Sequence, residues 1–146
     1  MPQDLQTILN RQLANWSVLY FKLHHYHWFV KGDQFFELHQ KFEEYYNEAA
    51  SALDQIAERL LTIGGIPSST MREYLNQATI QEAVGNETAE QMVQQVIEDF
   101  RTIAQESKEA IKAAESVGDD ATADLFIGLG AKLEKHLWML AAYAAK

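Results

Sequence analysis

The sequence predicts an all-α fold: a bundle of four long helices, with a short extra helix in the long crossover between helices two and three. Three observations predict it. Only 2 Pro and 7 Gly interrupt the 146 residues, and 47% of the chain is hydrophobic. The chain is rich in Ala, Glu, Gln and Leu, residues that favour helix over sheet. Apolar positions recur at spacings of three and four over long stretches, and the breaks between those stretches carry Gly, Pro and capping residues. A chain of this length suits one domain, 1–146, with a single core.

From Asp4 to Val30, Leu9, Leu13, Trp16, Tyr20, Leu23 and His27 recur at alternating spacings of four and three, which makes one long amphipathic helix. Lys31, Gly32 and Asp33 form a turn. The second stripe runs through Leu38, Phe42, Tyr45, Ala49, Ala52, Ile56, Leu60 and Ile63; Gly64 and Gly65 stop it and Pro67 prevents its resumption. The stretch from Gly64 to Glu87 is too long for a tight connection, and Thr70 to Glu73 and Thr79 to Glu82 both read as capping boxes, so a short helix interrupts it. The third long helix follows Thr88, whose box partner is Gln91, and carries Val93, Val96, Phe100, Ile103, Ser107, Ile111 and Ala114 before Gly118. The fourth begins near Asp119 or Asp120 with Leu125, Leu129, Leu133, His136, Leu140 and Tyr143, and has Gly128 and Gly130 as weak points. Turn, long crossover and turn place helices two and three parallel, which is the ferritin-like arrangement.

Charge and composition narrow the chemistry. The net charge of -9 repels nucleic acid and anionic membrane and attracts cations. No basic side chain precedes Arg11, and the C-terminus offers only Lys146. With no Cys, a disulfide scaffold, a thiolate metal site and a cysteine nucleophile are excluded, so a metal must use His and carboxylates. The longest apolar run, Leu137 to Ala145, is far short of the roughly 20 residues that span a bilayer. No signal peptide opens the chain, and a cytoplasmic protein is expected.

The chemistry-bearing residues lie on the first two helices: His24, His25 and His27, then His39, Glu43, Asp54 and Glu58. At 100° per residue the last four fall at about 0°, 40°, 60° and 100° on one face of helix two, roughly 150° from the core stripe. A rise of 1.5 Å per residue separates Glu43 from Asp54 by roughly 16 Å, so each helix carries two half-sites. Antiparallel two-fold packing of this helix on its own copy completes them. His39 and Glu43 lie as far before the midpoint between Glu48 and Ala49 as Glu58 and Asp54 lie beyond it. Ala50 and Ala57, with Phe36, Tyr46 and Leu61 beside the ligands, suit a subunit interface. The turn at Gly32 brings His27 toward His39. Imidazole and carboxylate without thiolate suit Fe(II), with Zn, Mn or Co as alternative occupants. Taken singly these residues have ordinary readings: a core histidine, or a solvated face on which Glu58 pairs with Arg59 or Lys41. The shared midpoint favours the site. His24, His25 and His136 lack that support and read as packing or surface residues. Trp28, beside His27, is either packing or a trap for stray electrons.

The run Leu23-His24-His25-Tyr26-His27-Trp28-Phe29-Val30-Lys31-Gly32, followed by Phe35-Phe36-Glu37-Leu38-His39 and by Asp54-Gln55-Ile56-Ala57-Glu58-Arg59-Leu60-Leu61, resembles the Dps family of mini-ferritins. The resemblance covers nearly the whole chain, including Ile63-Gly64-Gly65-Ile66-Pro67 and Glu134-Lys135-His136-Leu137-Trp138-Met139. It implies a hollow dodecamer that oxidises Fe(II), preferably with hydrogen peroxide, protects against oxidative stress and stores ferric mineral. By the same resemblance the ferroxidase ligands are His27, His39 and Glu43 of one chain with Asp54 and Glu58 of another. Family members commonly carry Asp where this chain has Glu43. The resemblance further places Asp120 and Asp124, with Glu115 nearby, at acidic three-fold pores, although a carboxylate in a first turn also stabilises a helix by about 0.3 to 1 kcal/mol. Glu44 and Glu48 read as cavity-lining residues or as a solvated face.

Many family members bind DNA through lysine-rich tails, a pattern this chain does not follow. The expectation is a ferroxidase of the non-DNA-binding type; the alternatives are a DNA-binding nucleoid protein of the same family and a purely structural helical oligomer. A larger ferritin with di-iron sites inside each subunit conflicts with the absence of paired Glu-x-x-His motifs.

Overall fold

Pairing partners along the helices fix the architecture. The computed structural model describes residues 1–145; Lys146 lies outside the described residues. It contains α1 (Gln3–Phe29), α2 (Phe35–Thr62), α3 (Met71–Gln77), α4 (Ala89–Ser116) and α5 (Asp120–Ala144), with no strand among the described residues. Arg11 meets Glu109, Asn15 meets Glu106 and Lys22 meets Asp99, so α1 and α4 are antiparallel. His27 meets His39 across the short turn that reverses α1 into α2. Helices α2 and α4 therefore run parallel, as the long crossover requires.

Each boundary has a local cause. Gly32 adopts φ 111°, a left-handed conformation that costs glycine little, and the turn closes with Phe35 N–H donating to the Gly32 carbonyl. Gly64, at φ 86°, ends α2 in the same way. Capping boxes open α3 at Thr70 with Glu73 and α4 at Thr88 with Gln91. The expected box at Thr79 starts no helix: Asn15 binds both the Thr79 amide and hydroxyl, and the hydroxyl also donates to Glu106. Tertiary partners there replace the local ones.

The stripe expected on α2, from Leu38 to Leu60, is the buried set, and only Ile63 is left half-buried. On α5 the expectation was rotated. Thr122, Ala123, Phe126, Leu133 and Leu140 are buried, whereas Leu125 and Leu129 are half-buried and Tyr143 is exposed. Helix α5 is apolar on more than one side, so periodicity alone did not select the side facing α4. Gly128 and Gly130 do not interrupt it.

Helix α1 is buried well beyond its apolar stripe because it packs against α2, α3 and α4. Its polar residues fasten the crossover. Asn10 binds the Ile66 carbonyl and the Ser68 amide, Lys22 donates to the Gln81 carbonyl, and the Tyr26 hydroxyl donates to Glu87. Lys22 also pairs with Asp99 at 2.7 Å, with both side chains almost fully buried. Burial pushes the Asp99 carboxyl up, against the opposing pull of Lys22. The crossover is thus pinned to the helix that carries His27.

Candidate metal centre

The turn between α1 and α2 sets His27 and His39 face to face. Their rings stack at 3.7 Å, 12° from parallel, and the outer face of His39 stacks on Phe35 at 5.0 Å. Nδ1 of His27 lies 2.6 Å from the His39 carbonyl, and Nδ1 of His39 lies 2.8 Å from the His27 carbonyl. A carbonyl only accepts, so each Nδ1 donates, and a neutral imidazole then presents a bare Nε2. Metal-binding histidines need this arrangement, since a hydrogen bond at one nitrogen fixes both tautomer and ring orientation for the other. His27 is 7% exposed, so its ring is held by packing as well.

Glu43 follows one turn after His39, and its Oε1 stands 3.7 Å from Nε2 of His27. That is too long for a hydrogen bond. A divalent cation would take both atoms as donors. His27, His39 and Glu43 therefore make up a candidate half-site of two imidazoles and one carboxylate.

The other half lies elsewhere on the same helix. Asp54 and Glu58 are exposed, and neither side chain makes a hydrogen bond or ion pair among the described residues. The ordinary reading of Glu58 as a surface ion pair does not hold, because Arg59 turns to Asp119 at 3.0 Å and Lys41 to Glu44 at 2.8 Å. Among the described residues, no group of three or more His, Asp or Glu stands close enough to hold a metal ion.

Glu115, Asp120 and Asp124 are exposed around the α4–α5 junction. The cap of α5 is Asp119, not Asp120: its carboxylate accepts from the Thr122 amide and from Arg59. Burial pushes the Asp119 carboxyl up, but hydrogen bonds from Thr122 and Arg59 outweigh it and hold the group below its ordinary range. Asp120, left without the capping role, faces solvent. Of the two acids expected in a cavity, Glu44 pairs with Lys41, and Glu48 bonds to Nε2 of His136 at 2.6 Å, which lowers its pKa.

Two relationships escaped the sequence reading. Tyr46 touches His27 edge to face at 5.4 Å and stacks on His24 at 3.6 Å; its spacing from His39 shows only that the two share a helix. Arg59 joins the end of α2 to the cap of α5, and its partner is sixty residues away in sequence.

A four-helix bundle with this crossover defines a ferritin-like protein, and residues 6–146 match the ferritin-like domain family. The chain is 53% identical over 143 residues to general stress protein 20U of Bacillus subtilis, covering 98% of this chain and 99% of that one. It is 50% identical to DNA protection during starvation protein 2 of Bacillus anthracis, covering 98% of each. The crystal structure of Dps from Staphylococcus aureus superposes with a TM-score of 0.97 at 46% identity, covering 99% of this chain and 97% of that one. The chain belongs to the Dps family of ferritin-like proteins.

Proposed function

We propose that this protein stores and detoxifies iron: it oxidises Fe(II), preferably with hydrogen peroxide, at sites shared between subunits, and keeps the ferric product inside a dodecameric cage built from two-fold dimers. The observation that carries this reading is the split donor set. His27 and His39 present oriented bare nitrogens beside Glu43, while Asp54, roughly 16 Å beyond Glu43 along the same helix, and Glu58 one turn further stand unpaired. Two-fold packing of α2 on its copy brings Asp54 and Glu58 of one subunit to His27, His39 and Glu43 of the other. Residues 1–146 act as one domain throughout.

Fe(II) is the substrate. Imidazole nitrogen binds Fe(II) moderately, and the carboxylates stabilise the charge that develops on oxidation. Two irons at one seam, or one bound tightly and one loosely, deliver one electron each to peroxide, and both oxygens leave as water. Zn and other divalent metals can take the same donors. Asp120 and Asp124 supply an acidic entry path for the cation. A net charge of -9 disfavours DNA condensation. Among the described residues no helix is long and apolar enough to cross a membrane. The site of action is placed in the cytoplasm, where Fe(II) and peroxide meet.

The test is stoichiometric. Anaerobic Fe(II) titrated with peroxide should consume about two irons per peroxide; a ratio near one with abundant hydroxyl radical would mean Fenton chemistry instead. The second reading, a DNA-binding nucleoid protein, draws on the name of the Bacillus anthracis relative, DNA protection during starvation protein 2. Retention of duplex DNA in gel shifts at physiological salt would favour it.

A further inference from the structure

Among the described residues, polar side chains join α2 to α5 at two places. Near the end of α2 the Arg59 guanidinium donates to Asp119 and Thr122. At the middle of α2, Oε2 of Glu48 meets Nε2 of His136 at 2.6 Å. The two ties differ in their response to pH: a guanidinium stays charged throughout, whereas histidine is the side chain that changes charge between about pH 5 and 8. His136 is not a loose surface group. Its ring packs 4.9 Å from Tyr45 of α2 and 5.9 Å from Phe100 of α4, both buried, and its side chain is only 19% exposed. The other histidines are placed differently: His24, His27 and His39 bond through Nδ1 to main-chain carbonyls, and His25 lies against Phe29.

We propose that His136 and Glu48 form a pH-dependent latch between α5 and the midpoint of α2, tight when the imidazole is protonated at mildly acid pH and relaxed above the histidine range. Protonated, the ring gives Glu48 an ionic hydrogen bond; neutral, it leaves an ordinary one, about half as strong. The surroundings favour the carboxylate charge. The bond from His136 is the largest influence holding the Glu48 carboxyl below its ordinary 4.5, burial opposes it, and Lys132 of α5 and Lys41 of α2 add to the lowering. Glu44 pairs with Lys41 at 2.8 Å. Burial first, and then the charges of Glu48 and Glu44, push the Tyr45 hydroxyl up, so it stays neutral. Helix α4 contributes the uncharged ring of Phe100. A histidine whose charged form gains a partner on folding adds stability that is complete at mildly acid pH and is lost as pH rises through its range. Glu48 withdraws its part only as pH falls below 4.5. The latch is therefore strongest between about pH 5 and 6. Glu48 stands between His39 and Glu43 on one side and Asp54 and Glu58 on the other, so the latch holds the helix that carries all four. It needs no iron and stands whether or not α2 bears a metal site.

Thermal melts of the full-length protein, freed of metal with chelator, test this at about pH 5.5 and about pH 8. Wild type is compared with His136→Gln and Glu48→Gln, each of which keeps a hydrogen-bonding side chain and removes one charge. Wild type should melt above both variants by a margin about 2 to 4 °C wider at the lower pH, the size of one added ionic interaction in a chain of this length. A margin equal at the two pH values, or wider at the higher one, overturns the latch. Hydrogen exchange read by mass spectrometry gives a second measurement on wild type alone, independent of whether the variants fold. Corrected for the intrinsic effect of pH on exchange, the α5 amides around His136 should be better protected at the lower pH. Equal protection at both would contradict the proposal.

Discussion

His27 and His39 hold each other by reciprocal hydrogen bonds, each Nδ1 reaching the main-chain carbonyl of the other at 2.6 and 2.8 Å. Neither ring is oriented independently. Removing a residue that only orients a ligand already costs 10- to 100-fold in metal affinity or activity as a rule of thumb. Replacing either histidine by Ala should therefore slow Fe(II) oxidation by about 100-fold or more, and the double variant should lose little beyond either single one, because the pair acts as a unit. Stopped-flow absorbance of ferric product checks both statements; losses that multiply would show two independent ligands.

Asp119→Ala removes the α5 cap together with the anchor of Arg59, and should lower stability by about 1 to 2 kcal/mol in urea unfolding. The Asp119 carboxyl lies below its ordinary value of 3.8. Its contribution is accordingly present above that value and is lost as pH falls through the depressed one. The gap between wild type and variant should be full at neutral pH and shrink as the pH falls below 3.8. A constant gap would mean that the carboxylate charge does not matter.

Lys22→Met leaves Asp99 buried without its cation and detaches the Gln81 carbonyl. A loss of about 3 to 5 kcal/mol is expected. Adding Asp99→Leu should recover most of it, since an apolar pair removes the uncompensated charge. Thermal melts of the two variants distinguish this from a packing defect, which the second substitution would not repair.

Much of the fold was legible because α2 and α4 each bury one stripe against solvent on the other side, and because Thr70, Thr88, Gly32 and Gly64 act within a few residues of themselves. Where sequence reasoning failed, distant partners decided. Thr79 answers to Asn15 rather than to Glu82, and the side of α5 that is buried depends on α4. At the site, the pairing of His27 with His39 could be anticipated from the short turn, and Asp54 and Glu58 from their shared face with Glu43. The ring series through Tyr46 could not, because contact between α1 and α2 side chains depends on how the two helices are rotated against each other.

The central claim is that two chains complete each iron site, and mixed assembly tests it most directly. His39→Ala and Asp54→Ala proteins, each inactive alone, are unfolded together and reassembled. In a mixed dimer one seam collects both lesions and the other collects neither, so random mixing should restore about a quarter of the wild-type Fe(II) oxidation. A mixture that stays as inactive as its parents would contradict the shared site and place every ligand within one chain.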